Sequence, residues 1–177
     1  GRENLRKTIR EITGLEVSGR AQFINGMELL EGLGLDYVRK KVVRPLAGMK
    51  VACYYGCLLV RPLLPEVFDD PEHPTKMDEI VRALGAEPVE WDFKVECCGA
   101  GLTMAQPKWI EELTHRIVRN AHQAGAAAFV VACPLCHSNL DMRQAAMRKR
   151  FGDVPVMPVY YLSELAAIAC GASPKDV

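Results

Sequence analysis

The sequence predicts an α/β fold: an open, parallel, Rossmann-like sheet of about four strands with flanking helices, preceded by an N-terminal helical segment. Three observations predict it. From residue 49 onward, short β-type runs alternate with stretches of helical periodicity, the order that yields right-handed crossovers and a parallel sheet. The run from Ala127 to Ala132 is apolar throughout, as in a strand covered on both faces. Gly85, Pro107 and Gly125 fall at junctions between the two kinds of segment, where helices start and stop.

The elements follow in order. Leu5, Ile9 and Ile12 recur at helical spacing among charges, and Gly14 ends the pattern. Phe23, Met27, Leu29, Leu30 and Leu33 form a second stripe closed by Gly32 and Gly34. Residues 36–43 form a short basic helix stopped by Pro45, whose run Arg39, Lys40, Lys41 and Arg44 reads as a solvated face. Residues 49–55 are the first strand, followed by a loop rich in proline (Pro62, Pro65, Pro71, Pro74). Met77, Ile80, Val81 and Leu84 share one face of the next helix. Residues 87–93 are the second strand. Pro107 opens a long helix that turns Ile110, Leu113, Ile117, Val118 and Ala121 inward. The third strand leads into a helix over about 134–150 carrying Leu140, Ala145, Ala146 and Met147. Residues 154–159 are the fourth strand and 163–169 the last helix. Two parts result: a helical linker or docking segment over 1–47 and a cysteine-rich α/β domain over 48–177.

A chain of 177 residues buries a sizeable core without disulfides. The 22 basic and 22 acidic residues cancel, so no global field draws it to nucleic acid or anionic lipid. No apolar run approaches 18 residues, and the first residues are charged, so the chain reads as soluble and cytoplasmic. Seven cysteines, an odd number clustered as CC and CxxC, favour metal or redox use over structural disulfides.

The spacing sharpens this. Cys57 is followed after 39 residues by the pair Cys97 and Cys98, and after 34 more by Cys133-x-x-Cys136. All follow predicted strand ends, and in a parallel sheet the ligand site lies beyond the carboxyl ends of the strands. Five thiols therefore converge on one edge. Cys133 sits where a strand becomes a helix, and free amides at a helix start stabilise anionic sulfur. A bare CxxC fits zinc, a dithiol or an iron–sulfur site alike. Adjacent cysteines do not readily turn into one tetrahedral metal, but they can grip different atoms of a larger cluster. Gly99 and Gly101 let backbone approach a bulky cofactor. No GxGxxG follows the first strand, which argues against a dinucleotide enzyme.

The segments Tyr54-Tyr55-Gly56-Cys57-Leu58-Leu59-Val60-Arg61-Pro62, Glu96-Cys97-Cys98-Gly99-Ala100-Gly101 and Cys133-Pro134-Leu135-Cys136-His137 resemble the cysteine-cysteine-glycine (CCG) domain found in the B subunit of heterodisulfide reductase, over roughly residues 40–170. The full-length member of that family carries two such motifs; this chain has one and looks like the C-terminal half. The resemblance implies a component of an oxidoreductase, active only within a complex. It implies a noncubane [4Fe-4S] cluster held by Cys57, Cys97, Cys98, Cys133 and Cys136, with Gly99 beside it, and zinc or no metal in an isolated fragment. Implied partners are the ferredoxin-like C subunit, the flavin-containing A subunit, the N-terminal CCG half and a small thiol or disulfide substrate, with no nucleic acid. Related domains serve electron transfer in lactate, glycolate, succinate and fumarate enzymes, which is the alternative function. A zinc-binding or metal-free interaction domain is the third.

Other residues are weighed singly. Cys53 departs from the family spacing and reads as a buried thiol rather than a ligand; Cys170 reads as a bystander. His137 is a candidate to hydrogen-bond sulfur or move protons, against a local capping role. Relatives carry a histidine directly after the Cys57 position, where Leu58 stands here. Arg61 is a candidate anion contact or a surface charge. Tyr54, Tyr55 and Trp91 read as core or wall, and Trp109 as a helix-face residue.

Overall fold

The structure, a computed structural model, describes residues 2–18, 24–61, 68–152 and 155–177. Phe23, Pro62, Pro65 and Val154, invoked above, lie outside the described residues. The sheet is four-stranded and all parallel: β1 (Lys50–Tyr54), β2 (Glu87–Pro88), β3 (Ala128–Val131) and β4 (Val159–Tyr161), in the order β2-β1-β3-β4. The chain leaves β1 for β2 on one side and returns past it to β3 on the other. β1 and β3 therefore flank the switch point of the sheet, where crossovers depart to opposite faces and open a crevice.

Alternation along the strands divides the core in two. Val51, Cys53 and Val130 face one layer, completed by α5 (Lys76–Ala83), α9 (Leu162–Ala169), and Met27 and Val38 of α2 (Gly26–Leu33) and α3 (Leu35–Lys41). Ala52, Tyr54, Phe129 and Val131 face the other, covered by α6 (Pro107–Gln123), α7 (Pro134–Met142) and α8 (Gln144–Phe151). A fourth helix in chain order, α4 (Gly56–Val60), directly follows β1. Asn25 caps α2 reciprocally with Glu28, its side chain accepting from the Met27 and Glu28 amides. The joint between the N-terminal helices and the sheet is tied by backbone: Val43 and Arg44 amides both donate to the Ala169 carbonyl, and Leu46 donates to Leu84. The first helix, α1 (Arg2–Thr13), leaves Leu5 and Ile12 exposed.

Three boundaries differ from those the sequence suggests. The second strand is only Glu87–Pro88 rather than 87–93. Pro88 brings no N–H, and the Val89 amide makes the last backbone bond to β1, at Val51. Beyond it Trp91 turns inward, its Nε1 donating to the Cys53 carbonyl at 3.3 Å and its ring packing on Tyr54 and Phe129. The single helix expected after Cys133 is two, broken at Arg143. At that joint the buried Gln144 amide is bound to the Met157 backbone, donating to its carbonyl at 2.6 Å and accepting from its amide at 2.7 Å. The fourth strand starts at Val159 rather than near 154.

Candidate cysteine-rich site

Each cysteine of the predicted set is carried by a different local device. Cys57 lies in the first turn of α4, immediately beyond β1. Cys133 is the residue before α7, and Cys136 is buried in its first turn. Cys97 and Cys98 lie in a loop nine and ten residues after β2, not at a strand end as expected. What brings them to the rim is the segment 91–96. Trp91 anchors its start, and the Tyr54 hydroxyl donates to the Glu96 carbonyl at 2.6 Å at its end. In the middle, the Lys94 carbonyl accepts from the Tyr55 and Gly56 amides at 2.9 and 3.1 Å. The loop bearing the pair is thus fastened to the turn bearing Cys57.

The adjacent cysteines then part. Cys97 Sγ stands 3.8 Å from Cys57 Sγ and accepts from the Gly99 amide at 3.3 Å, on the exposed side. Cys98 Sγ stands 3.6 Å from Cys136 Sγ, on the buried side. Cys133 stands three residues before Cys136 at the start of α7 and adds to the rise of that thiol, which sets the fifth sulfur beside the others. Among the described residues, no three His, Cys, Asp or Glu side chains meet closely enough to hold a single metal ion. The arrangement is two sulfur pairs bridged by consecutive residues, with a fifth sulfur beside one of them.

Backbone makes room for the sulfurs. Gly56 has φ +66°, and a Cβ there would stand 3.0 Å from Cys136 Sγ. Gly99 has φ +77°, and its missing Cβ would meet Leu113 Cδ1 at 2.9 Å. Both glycines are required by conformation and by close approach. The electrostatics follow the same pairing. The hydrogen bond shared with Cys136, working against burial, lowers the Cys98 thiol to about 6, with the Ala100 amide and Asn139 helping. The same bond, together with burial and the Cys98 charge, pushes Cys136 well up. Burial and the bond to Cys97 raise Cys57. Tyr54 is raised by burial and then by Cys136, Cys98, Cys97 and Cys57.

The other residues settle as follows. Cys53 is fully buried in the opposite core layer, away from the rim, and Cys170 is exposed after α9. His137 stacks on Tyr161 with ring centroids 4.3 Å apart, and its Nε2 meets the Val159 carbonyl at 3.1 Å. A carbonyl only accepts, so Nε2 carries the hydrogen. Arg61 Nε donates to the Pro71 carbonyl at 3.1 Å. Tyr54, Tyr55 and Trp91 are buried and Trp109 is exposed. Leu58 and Leu135, neighbours of Cys57 and Cys136, are exposed apolar residues at the rim. An apolar cavity of about 410 Å³ lined by Met27, Leu30, Leu59, Ala132, Tyr161 and Leu162 opens beside the ends of β3 and β4.

Two features are not singled out by sequence reading. One is Asn139, buried one turn beyond Cys136 and touching Cys98. Its position at i+3 from Cys136 was the available signal. The other is a buried polar network behind Cys57. Lys94 Nζ donates to Asp78 Oδ1 at 2.8 Å, the Tyr55 hydroxyl donates to Asp78 Oδ2 at 2.6 Å, and the Met77 amide donates to the Tyr55 hydroxyl at 2.8 Å. Nothing in the spacing of these residues announces it.

The donor set tests what the site can hold. Five thiols and no imidazole or carboxylate are the ligands of soft metals and of iron–sulfur clusters. The two sulfur pairs, held apart by the CC dipeptide and backed by bare backbone at Gly56, fit a multi-atom cluster.

Known proteins resemble the chain over most of its length. The family model of the cysteine-rich CCG domain matches residues 51–141. Over 96% of its length the chain is 35% identical to the B subunit of the Ferredoxin/F(420)H(2)-dependent CoB-CoM heterodisulfide reductase of Methanosarcina acetivorans, covering 57% of that protein. Over 81% it is 32% identical to the 8-methylmenaquinol:fumarate reductase membrane anchor subunit of Wolinella succinogenes, covering 50%. Over 84% it is 29% identical to a protein of Archaeoglobus profundus named for its likeness to the B subunit of heterodisulfide reductase, covering 51%. The chain spans about half the length of the curated relatives it matches.

Proposed function

The chain belongs to the cysteine-rich CCG domain family, and from that premise we propose that it is an iron–sulfur part of a heterodisulfide-reductase-type complex, working in electron transfer and in reduction or oxidation of disulfide or related sulfur substrates. The observation that carries this reading is the divergence of Cys97 and Cys98 to different sulfur partners at the switch point of the sheet. Similarity to proteins named for heterodisulfide reductase supports it.

Cys57, Cys97, Cys98, Cys133 and Cys136 would hold the cluster, of the noncubane [4Fe-4S] type. When bound, such a cluster supplies electrons singly, and iron as a Lewis acid toward a leaving sulfur. The chain's own residues prepare the place. The hydrogen bond that Cys98 shares with Cys136 favours the Cys98 thiolate, the form that binds metal. Cys97 is exposed and Cys57 and Cys133 half-exposed, so the outer side is open to a small thiol or disulfide. Exposed Leu58 and Leu135 give a partner an apolar footing at the rim. The partners are the ferredoxin-like C subunit, the flavin-containing A subunit and a second CCG half. His137, with Nε2 committed to Val159, keeps Nδ1 as its proton-handling atom. Among the described residues no helix is long and apolar enough to cross a membrane, and the proposed location is the cytoplasm.

Anaerobic purification with iron and acid-labile sulfide analysis and electron paramagnetic resonance tests this. Iron and sulfide together, with a paramagnetic signal on oxidation or reduction, are expected. Stoichiometric zinc without sulfide overturns it in favour of a scaffold. A second reading, an electron-transfer module of a fumarate-type enzyme, is favoured by the similarity to the Wolinella succinogenes anchor protein. Iron with no effect of thiol or disulfide substrates on the signal would select it.

A further inference from the structure

Asn139 is 4% exposed, and its amide touches four groups. Nδ2 lies 3.1 Å from the Cys98 carbonyl oxygen and 3.7 Å from Cys98 Sγ. Oδ1 lies 3.3 Å from Arg143 Nε and 3.5 Å from Thr103 Oγ1. Chemistry fixes which way the amide faces. A carbonyl oxygen only accepts and a guanidinium only donates, so the NH2 group faces Cys98 and the oxygen faces Arg143. Turning the amide over would set donor against donor and acceptor against acceptor. The side chain is therefore locked at both ends, with N–H directed at the one cysteine of the pair that is buried.

We propose that Asn139 is a positioning residue that holds Cys98 by its carbonyl, donates an N–H bond to its sulfur, and thereby raises the reduction potential of the cluster. This rests on the iron–sulfur reading above. Reduction adds negative charge that spreads onto ligand sulfur, and a hydrogen-bond donor stabilises that charge more in the reduced than in the oxidised form. In a buried place, where little water competes for the sulfur, the donor counts for more. The carbonyl bond fixes the loop and the sulfur bond tunes the electronics. Both come from one helix turn that also carries Cys136, so the spacing of the donor from Cys136 is set within α7.

The test is a redox titration, followed by electron paramagnetic resonance, of the native protein purified without oxygen and of its Asn139→Leu and Asn139→Asp variants. Asn139→Leu removes the donor without changing charge, and the midpoint potential is expected to fall. Asn139→Asp keeps size and shape while replacing the donor with an acceptor, and a larger fall is expected. Should the leucine variant fail to fold, the aspartate variant decides alone. Iron-loaded variants with the wild-type potential would overturn the proposal, and so would folded variants that both lose iron, which would leave Asn139 purely structural. Wild-type protein without iron and sulfide would overturn the cluster reading and this inference with it. An iron-loaded wild type with unmoved variants would overturn only the inference.

Discussion

Cys98 and Cys136 bring their sulfurs to 3.6 Å across 38 positions of the chain. Cys97, the very next residue to Cys98, turns the other way, to Cys57 at 3.8 Å. The peptide unit between the two cysteines thus joins an exposed half of the site to a buried half. Cys97→Ser and Cys98→Ser are both expected to release iron and sulfide from the anaerobic protein, with a difference in cause. The Cys98 substitution removes a buried thiol hydrogen-bonded to Cys136 and Asn139, and it is expected to lower the unfolding free energy as well. Loss of the hydrogen bonds of a buried group costs about 1–3 kcal/mol. The exposed Cys97 substitution is expected to leave apo stability within about 0.5 kcal/mol. Metal analysis and denaturant unfolding of the apo proteins measure both.

Cys53 provides the opposite case. Its thiol is fully buried against Val51 and Val130 in the other core layer, and burial raises it well above the ordinary thiol value of 9.0, with Asp78 adding to the rise. A raised acid contributes stability that is complete below its unfolded value and is lost as pH rises beyond it, because the unfolded thiol ionises while the folded one does not. Reduced apo protein is therefore expected to lose stability above pH 9. Cys53→Ala should make that fall shallower by at most about 1.4 kcal/mol per pH unit. The same variant should keep its iron, and in folded wild type Cys53 should stay unmodified by iodoacetamide until denaturant is added.

How far the sequence reached follows from the kind of signal each feature leaves. Continuous apolar runs reveal β3, and helical stripes reveal α5 and α6, because burial repeats at the period of the element. Met77, Ile80, Val81 and Leu84 are all buried, as are Ile110, Ile117, Val118 and Ala121. The second strand is misjudged because Val89, Trp91 and Phe93 alternate as strand residues do. Tertiary packing of Trp91 against Tyr54 and Phe129 claims the side chain instead. The exposed α1 and the exposed Leu29 and Leu33 of α2 show that a helical stripe does not name its partner. The cysteine rim was legible because spacing and fold class both led there. Asn139 and Lys94 were not, since a polar side chain gains its role from neighbours distant in sequence.

Lys94 has a structural prediction of its own. Its ammonium is nearly buried against Asp78, itself 1% exposed, with Glu90 farther off at 3.5 Å. Removing one partner of a buried pair strands the other charge, so Lys94→Met is expected to cost about 3–5 kcal/mol. Adding Asp78→Leu should recover most of that, because the stranded carboxylate goes too. Tyr55→Phe, which leaves Asp78 and the Met77 amide short of a partner, should cost about 1–3 kcal/mol. Denaturant midpoints at constant slope are the measurement. A small effect of Lys94→Met would mean that water reaches Asp78.

Gly56 joins stability to the site most directly. Alanine there must adopt φ +66° and place its Cβ 3.0 Å from Cys136 Sγ, with the Tyr54 ring at 3.7 Å closing the other side. The left-handed conformation alone costs about 1–2 kcal/mol. The sulfur cannot retreat freely, because Cys136 is buried and hydrogen-bonded to Cys98. Gly56→Ala is therefore expected to destabilise the apo protein by that amount and also to reduce its iron content. Gly101→Ala is the control: it has ordinary φ and, among the described residues, no atom within 4 Å of the new Cβ, so stability should stay within about 0.5 kcal/mol. If Gly56→Ala lost stability but kept full iron, the close approach of Cys136 sulfur to this backbone would belong to the metal-free state alone, and the sulfur would have to move when the cluster is held.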